Sequence, residues 1–311
     1  MTFAFVFPGQ GSQSIGMMSA YGDAPVLRST FEEASEALGR DLWGLAAEGP
    51  HELLNQTVNT QPLMLAADVA VWRLWRSRGG AAPALVAGHS LGEFAALVAA
   101  EAIGFGDAVR LVELRSRAMQ EAVPEGIGAM AAILGLDDEA VRAACAAAAQ
   151  GEVVEAVNFN APGQTVIAGH AAAVARAAEA AKARGAKRAV MLPVSAPFHC
   201  SLMRPVGERL AQRLAGLKLC APRIPVVQNA DAAVWEDPSR IADALVRQAH
   251  SPVRWVETIR LMAREGVSHV YECGPGKVLA PLVRRIDPAL AGVALCDAAS
   301  LDRALAELAG A

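Results

Sequence analysis

Aromatic side chains make up only 5% of this 311-residue chain, charged ones 19%, and there are five cysteines. With aromatics scarce and hydrophobic residues at 53%, alanine supplies much of the apolar content. That composition favours closely packed helices around a sizeable core and excludes wholesale disorder. Cys145, Cys200, Cys220, Cys273 and Cys296 are scattered, with no Cys-x-x-Cys pair. An odd count without metal or disulfide spacing suits a reducing cytosol, so a cytoplasmic protein without a metal is expected. Long basic runs are missing and the net charge is −4, which argues against a nucleic-acid partner. No apolar run is long enough to span a bilayer, so no membrane partner is expected. The N-terminal Met-Thr-Phe-Ala-Phe-Val-Phe-Pro has no basic flank and reaches Pro8 and Gly9 at once. It reads as a buried first strand rather than a signal peptide.

What is present is an alternation of apolar strands and helical periods. A strand over residues 3–7 leads into the loop Pro8-Gly9-Gln10-Gly11-Ser12-Gln13, and helical patterns cover 27–38 and 62–78. The apolar run Ala84 to Ala87 meets Gly88-His89-Ser90-Leu91-Gly92, and a helix continues from Glu93 to Ala100. Residues 126–196 differ: strand 128–134, helix 137–149, strands 153–158 and 164–168, helix 171–184 and strand 187–192. The two middle strands are joined through Asn160-Ala161-Pro162-Gly163. The order β-α-β-β-α-β is the split unit of a ferredoxin-like fold. The chain then returns through a helix near 201–216, a strand near 225–229, helices near 238–249 and 252–265, and a strand at 269–273. The loop Gly274-Pro275-Gly276 opens a last helix. The expected fold class is α/β. A large α/β-hydrolase-like subdomain with a parallel sheet (1–125 and 197–311) carries an inserted ferredoxin-like subdomain (126–196).

Strand, sharp turn, helix is the setting a nucleophile elbow requires, and residues 88–92 fit Gly-x-Ser-x-Gly. A serine on such a turn projects its hydroxyl above the sheet, and the following helix N-terminus offers positive potential to a developing oxyanion. The bland alternative is a tight turn with a structural serine. A nucleophilic Ser90 needs a base. Of six histidines, His199 lies where the small subdomain rejoins the large one, in Ser195-Ala196-Pro197-Phe198-His199-Cys200. That makes it the best candidate, with His250 second. His89 is read as packing or polarising the turn, and His51, His170 and His269 as exposed or capping residues at element ends. Projecting residues 107–122 at about 100° per residue places Arg115 in the middle of an apolar face. A buried guanidinium must meet either an internal carboxylate or a ligand, and its planar fork suits the free carboxylate of a dicarboxylic acyl group. Gln10 sits at the end of the first strand, where α/β proteins bind ligands, in a loop that could cradle phosphate or line an acyl site.

Together these segments resemble the malonyl-CoA:acyl-carrier-protein transacylases. The resemblance runs through Phe-Pro-Gly-Gln-Gly-Ser-Gln (7–13), Thr-Gln-Pro (60–62), Ala-Gly-His-Ser-Leu-Gly-Glu (87–93), Glu-Ala-Val-Pro-Glu-Gly (121–126) and Gly-Ala-Met-Ala-Ala-Ile (128–133). It continues with Val-Asn-Phe-Asn-Ala-Pro-Gly-Gln (157–164), Gly-Ala-Lys-Arg (185–188), Pro-Phe-His (197–199), Asn-Ala (229–230) and Gly-Pro-Gly-Lys-Val-Leu (274–279). It implies a Ser90–His199 dyad in which the main-chain carbonyl of Gln248 orients the imidazole. It also implies an oxyanion hole of Gln10 and Leu91 N–H groups, and Arg115 as clamp for the malonyl carboxylate. Asn160 matches a family asparagine near the cleft, and Phe198 resembles the malonyl-selecting version. The implied partners are malonyl-CoA and acyl carrier protein. No cofactor is implied, coenzyme A entering as part of the substrate, and a monomer is expected. Lys182, Arg184, Lys187 and Arg188 form either a face for the acidic carrier or a solvated helix end. The rival readings are the malonyl-loading subunit of a malonate decarboxylase and a thioesterase or esterase sharing the elbow.

Overall fold

The computed structural model describes residues 1–194 and 196–310; Ser195, in the junction before His199, and Ala311 lie outside the described residues. The chain opens with β1 (Phe3–Phe7) and helices α1 (Pro25–Leu38), α2 (Leu42–Glu48), α3 (His51–Leu54) and α4 (Thr57–Ser77). Strand β2 (Leu85–Gly88) runs into α5 (Gly92–Ala99), and α6 (Phe105–Ala122) follows. Then come β3 (Gly128–Leu134), α7 (Asp138–Ala148), β4 (Val154–Ala161), β5 (Gln164–His170), α8 (Ala171–Ala183) and β6 (Arg188–Met191). The chain continues through α9 (Arg204–Leu214), β7 (Val226–Gln228), β8 (Ala233–Val234), α10 (Pro238–Gln248), α11 (Trp255–Arg264) and β9 (His269–Cys273). It closes with α12 (Ala280–Ile286), β10 (Ala291–Leu295) and α13 (Ala298–Ala309).

These elements form a mixed α/β fold with two sheets. One is six-stranded, in the order β10-β9-β1-β2-β7-β8; its first five strands are parallel and β8 pairs antiparallel with β7 at the edge. Every residue of β1 and β2 is buried, as expected of strands covered by helices on both faces. Their apolar runs Phe-Ala-Phe-Val-Phe and Leu-Val-Ala-Gly supply that burial directly. The other sheet, β4-β5-β3-β6, is antiparallel throughout. Helices α7 and α8 pack on it around Ile133, Val141, Phe159, Ile167 and Val174. Strands β3 and β4 mix buried and half-buried positions, β5 is buried along its middle and the edge strand β6 is largely exposed.

Phe7 is the register partner of Gly88, so the loop after β1 and the elbow after β2 emerge side by side at the carboxyl ends of the parallel strands. Ligands of open α/β sheets bind at this end.

Several sequence expectations need correction. Helix α4 begins at Thr57, five residues before the expected start at Pro62, which lies inside it. A proline cannot donate to the carbonyl four residues back. Here that carbonyl, Val58 O, accepts instead from Arg40 Nη2 at 3.0 Å, and the helix continues through the proline. Asn160 and Ala161 belong to β4 rather than to the connecting turn, which shrinks to Pro162-Gly163. Register shifts between Ala156 and Asn158 and between Phe159 and Ala161 interrupt the β4–β5 ladder there, as β-bulges do beside functional clefts. The helix that follows the Gly274 loop, α12, is not the last element. The short, alanine-rich β10 carries too weak a strand signal to be seen from sequence, yet it pairs with β9 through five registered residues. The two-residue β8 was likewise not foreseen.

Candidate active site

The geometry at the end of β2 follows from two glycines. A Cβ on Gly88 would lie 1.8 Å from the Gly92 carbonyl carbon, and one on Gly92 would lie 2.1 Å from Phe7 O. No larger residue fits either place, so the strand can turn into α5 within one tight bend. Ser90, at the apex, has φ 53°. This left-handed conformation costs a non-glycine residue about 1–2 kcal/mol. It persists because both sides of the bend are tied down. Asn229 Oδ1 accepts from Ser90 N at 2.7 Å, and Asn229 Nδ2 donates to Gly88 O at 2.7 Å. Gln248 Nε2 donates to Ser90 O at 2.8 Å.

Ser90 Oγ stands 2.6 Å from His199 Nε2, across 109 residues of sequence. His199 Nδ1 is 2.9 Å from the main-chain oxygen of Gln248, which can only accept. Nδ1 therefore carries the ring proton, and Nε2 presents its lone pair to the serine O–H. His199 is buried, and its pKa is pushed down to about 3, first by loss of solvent and then by the Arg115 cation. The imidazole is thus neutral in the resting site. It also sits at φ 65°, a second strained residue in contact with the first.

Arg115 is almost wholly buried, as the helical projection required. The projection left a carboxylate or a ligand as its partner. Instead, Arg115 Nη1 donates to Gln61 Oε1 at 2.7 Å and Nη2 to Gln248 Oε1 at 2.9 Å. Nη2 also reaches Ser90 Oγ at 3.1 Å, and the Phe94 ring lies 5.6 Å from the guanidinium carbon. Among the described residues no carboxylate forms an ion pair with it, and its Nε has no hydrogen-bond partner. Two amide oxygens satisfy donors without cancelling charge. The site therefore keeps a cation, which burial weakens to a pKa of about 10 but which stays protonated at neutral pH.

These groups share a cavity of about 120 Å³, lined also by Gln10, Leu91, Met130, Asn158, Leu192 and Phe198. The backbone N–H groups of Gln10 and Leu91 donate to no described residue. A larger hollow of about 410 Å³, bordered by Met18, Leu27, Arg28 and Trp43, contains no histidine or cysteine and no nucleophile–base pair. Chemistry, not size, marks the smaller one.

An acyl transferase domain family matches residues 4–285 of the chain. The malonyl CoA-acyl carrier protein transacylase of Salmonella typhimurium is 55% identical over 306 residues, 98% of this chain and 99% of that protein. The chain belongs to this transacylase family. The crystal structure of acyl-carrier-protein S-malonyltransferase from Burkholderia pseudomallei superposes with a TM-score of 0.96 at 61% identity, covering 98% of this chain and all of the other. A malonyl-transacylase solved in complex with its type II PKS acyl-carrier protein gives a TM-score of 0.97 at 52% identity, covering 99% of this chain and 100% of that one.

Ser90, His199, Arg115, Gln10, Leu91 and Gln248, the family positions read from sequence, all meet in this one cavity or its immediate wall. Asn160 does not line it; its Oδ1 is 2.8 Å from His89 Nε2, one layer behind the serine. His89, packed edge-on against Trp255, supports the turn as expected of it. His250, the second base candidate, is absent from the cavity wall and packs against Gly207. His51 is exposed at the start of α3, and His170 caps the entry to α8 while its Nδ1 takes Val153 N at 2.9 Å.

Three residues were missed by sequence reasoning. Asn229 clamps the elbow, Gln61 holds Arg115, and Glu93 is buried with Oε2 accepting from Asn229 N at 3.0 Å and Gln248 Nε2 at 3.1 Å. Glu93 did carry a legible signal. It is the single charged residue of α5, Gly-Glu-Phe-Ala-Ala-Leu-Val-Ala, just as Arg115 is the misplaced charge of α6.

Proposed function

We propose that this chain moves a malonyl group from malonyl-CoA to the phosphopantetheine thiol of an acyl carrier protein through an ester on Ser90. One observation carries the reading: the hydroxyl that faces a neutral imidazole at 2.6 Å also lies 3.1 Å from a guanidinium that, among the described residues, no carboxylate contacts directly. A nucleophile and a cation at that separation suit an acyl group with a second, anionic end.

In the first half-reaction the malonyl carboxylate takes donors of Arg115, and the thioester carbonyl lies beside the Gln10 and Leu91 N–H groups. His199 Nε2 removes the Ser90 proton as the Ser90 Oγ–carbon bond forms. The oxyanion rests on the two N–H donors, the loss of either costing roughly 10²–10³ in rate. The C–S bond then breaks and His199 passes its proton to the departing sulfur, so coenzyme A leaves as the thiol and the imidazole is neutral again. In the second half-reaction the carrier thiol gives its proton to His199 and attacks the ester. The C–O bond breaks, Ser90 recovers the proton, and the sequence is ping-pong with no redox step.

On this reading the six-stranded sheet and its helices form an α/β-hydrolase-like subdomain (1–125 and 197–311). Residues 126–196 form the inserted ferredoxin-like unit, supported by the strand order β4-β5-β3-β6. Among the described residues no helix is long and apolar enough to cross a membrane. The reading takes the chain as a cytoplasmic monomer acting on soluble carriers.

Intact-mass measurement with malonyl-CoA, then with added holo carrier protein, tests the function. A malonyl adduct that Ser90→Ala abolishes and that discharges only onto the carrier is the expected result. Rapid release of free malonate with and without carrier would make the chain a hydrolase. Discharge onto a different carrier alone would favour the decarboxylase-linked reading.

A further inference from the structure

Behind the nucleophile lies a second charge that the transfer chemistry does not use. Glu93 is completely buried, and no cation lies within ion-pair distance among the described residues. Its Oε2 takes two N–H donors while its Oε1 has no partner. A buried carboxylate with one oxygen unsatisfied is costly unless a nearby positive charge compensates it.

The compensation is indirect. Gln248 stands between the two charges, its Oε1 accepting from Arg115 Nη2 at 2.9 Å and its Nε2 donating to Glu93 Oε2 at 3.1 Å. The amide dipole thus points its negative end at the cation and its positive end at the anion. Reversing the amide would set donor against donor on one side and acceptor against acceptor on the other, so its orientation is determined by its neighbours. A direct Arg115–Glu93 ion pair would occupy the fork that a substrate carboxylate needs. A pair relayed through an amide stabilises the resting cation, while the Nη2 contact to Ser90 Oγ and the unpartnered Nε–H stay free of any carboxylate.

We propose that Glu93 is the counter-charge and positioning residue for acyl-carboxylate capture: it balances Arg115 through Gln248 in the resting site and takes up a proton when a substrate carboxylate binds to Arg115. The bound carboxylate assumes the compensating role, and two anions then flank one cation at low dielectric. The weaker acid of the two is relieved by protonation. Burial pushes Glu93 up to about 7, so the exchange falls in the neutral range. The other charged or titratable groups facing this cluster are consistent with that assignment. His199 is held neutral by burial and Arg115, burial also lowers His89, and Asp231 is tied to Arg247 at 2.6 Å.

The sign is definite. Glu93 ionises as pH rises through about 7, and the ionised form repels an incoming carboxylate. Affinity for malonyl-CoA should therefore weaken with rising pH, while affinity for acetyl-CoA, which lacks the second carboxylate, should not follow it.

The test uses the full chain with Ser90→Ala, so that malonyl-CoA binds without reacting. Calorimetric titration at pH 7.5 in buffers of different ionisation heat should show net proton uptake with malonyl-CoA beyond that with acetyl-CoA. The ratio of the two affinities should fall about threefold or more between pH 6.5 and 8.5. Adding Glu93→Gln should remove both effects. Because that variant can fail to fold, infrared difference spectra of the Ser90→Ala chain provide a second readout: a carboxylic-acid C=O band should grow on malonyl-CoA binding. No excess uptake, no such band, or both effects persisting in folded Glu93→Gln protein would overturn the proposal. The inference rests on the malonyl-transfer reading, and the wild-type adduct mass, measured in parallel, separates the two. A missing adduct fails that reading, whereas an adduct without proton uptake fails this inference alone.

Discussion

The two sheets divide the work of the site unequally. The parallel sheet is buried on both faces at its central strands β1 and β2, and it delivers the nucleophile at the end of β2. The helices around it, together with the loop after β7, supply Arg115, Gln61, Asn229 and Gln248. The antiparallel sheet contributes wall residues such as Met130 and Asn158, and the Asn160 oxygen that accepts a hydrogen bond from His89. The strain at Ser90 and the buried charges lie in the first region, where dense packing on all sides can hold them. Chemistry that needs fixed positions is built on the rigid sheet, and the second sheet shapes access to it.

Mutations grade this comparison. Ser90→Ala, at the centre of the parallel-sheet region, should lower transfer by roughly 10⁶-fold and eliminate the adduct by intact mass. An adduct on another residue would move the nucleophile elsewhere. Arg115→Ala should reduce malonyl kcat/KM on the order of 10²–10³-fold, because a buried charge pair loses one partner. Acetyl transfer should be retained or increased, and equal loss for both acyl groups would give Arg115 a purely structural role. Asn229→Ala leaves Ser90 N and Gly88 O without partners at a cost of about 1–3 kcal/mol. Single-turnover acylation should drop about tenfold or more, with substrate affinity little changed. Asn160→Ala, in the antiparallel sheet, removes one neutral hydrogen bond of about 1 kcal/mol and should slow acylation by about fivefold or less. A loss as large as that of Asn229→Ala would erase the distinction between the sheets.

The smallest expected effect is a flat line. His199 must be neutral to accept the serine proton, and burial followed by the Arg115 cation holds it at about 3. As the pH falls, protonation disables the base only near that value. At saturating malonyl-CoA the single-turnover acylation rate should therefore be level from pH 5 to 8. An acid limb with a midpoint near the ordinary histidine value would show the imidazole to be solvated.

Local patterns were legible where the physics is local. The elbow reads directly from five residues because strand, two close-approach glycines and helix are contiguous. Arg115 was visible as a charge on an apolar helical face, since helical periodicity assigns faces without knowledge of neighbours. His199 was only ranked first by its junction position, and the Gln248 carbonyl came from family resemblance alone. The start of α4 was misjudged because Pro62 reads as an opening residue until Arg40 is known to take the carbonyl it frees. Asn160 was assigned to a turn because bulged strand ends look like loops in sequence.

The amino-acid order by itself therefore determined the class of fold, the elbow and the presence of a misplaced internal cation, all of which depend on spacings of a few residues. The tertiary structure decided which partner each of these groups meets. Only chain closure over 109 residues brings the imidazole to the hydroxyl. Only the packing of α4, α6 and α10 gives Arg115 two amide oxygens in place of a carboxylate. Whether a buried charge is neutralised or left able to bind depends on contacts between distant segments, and no local spacing encodes those.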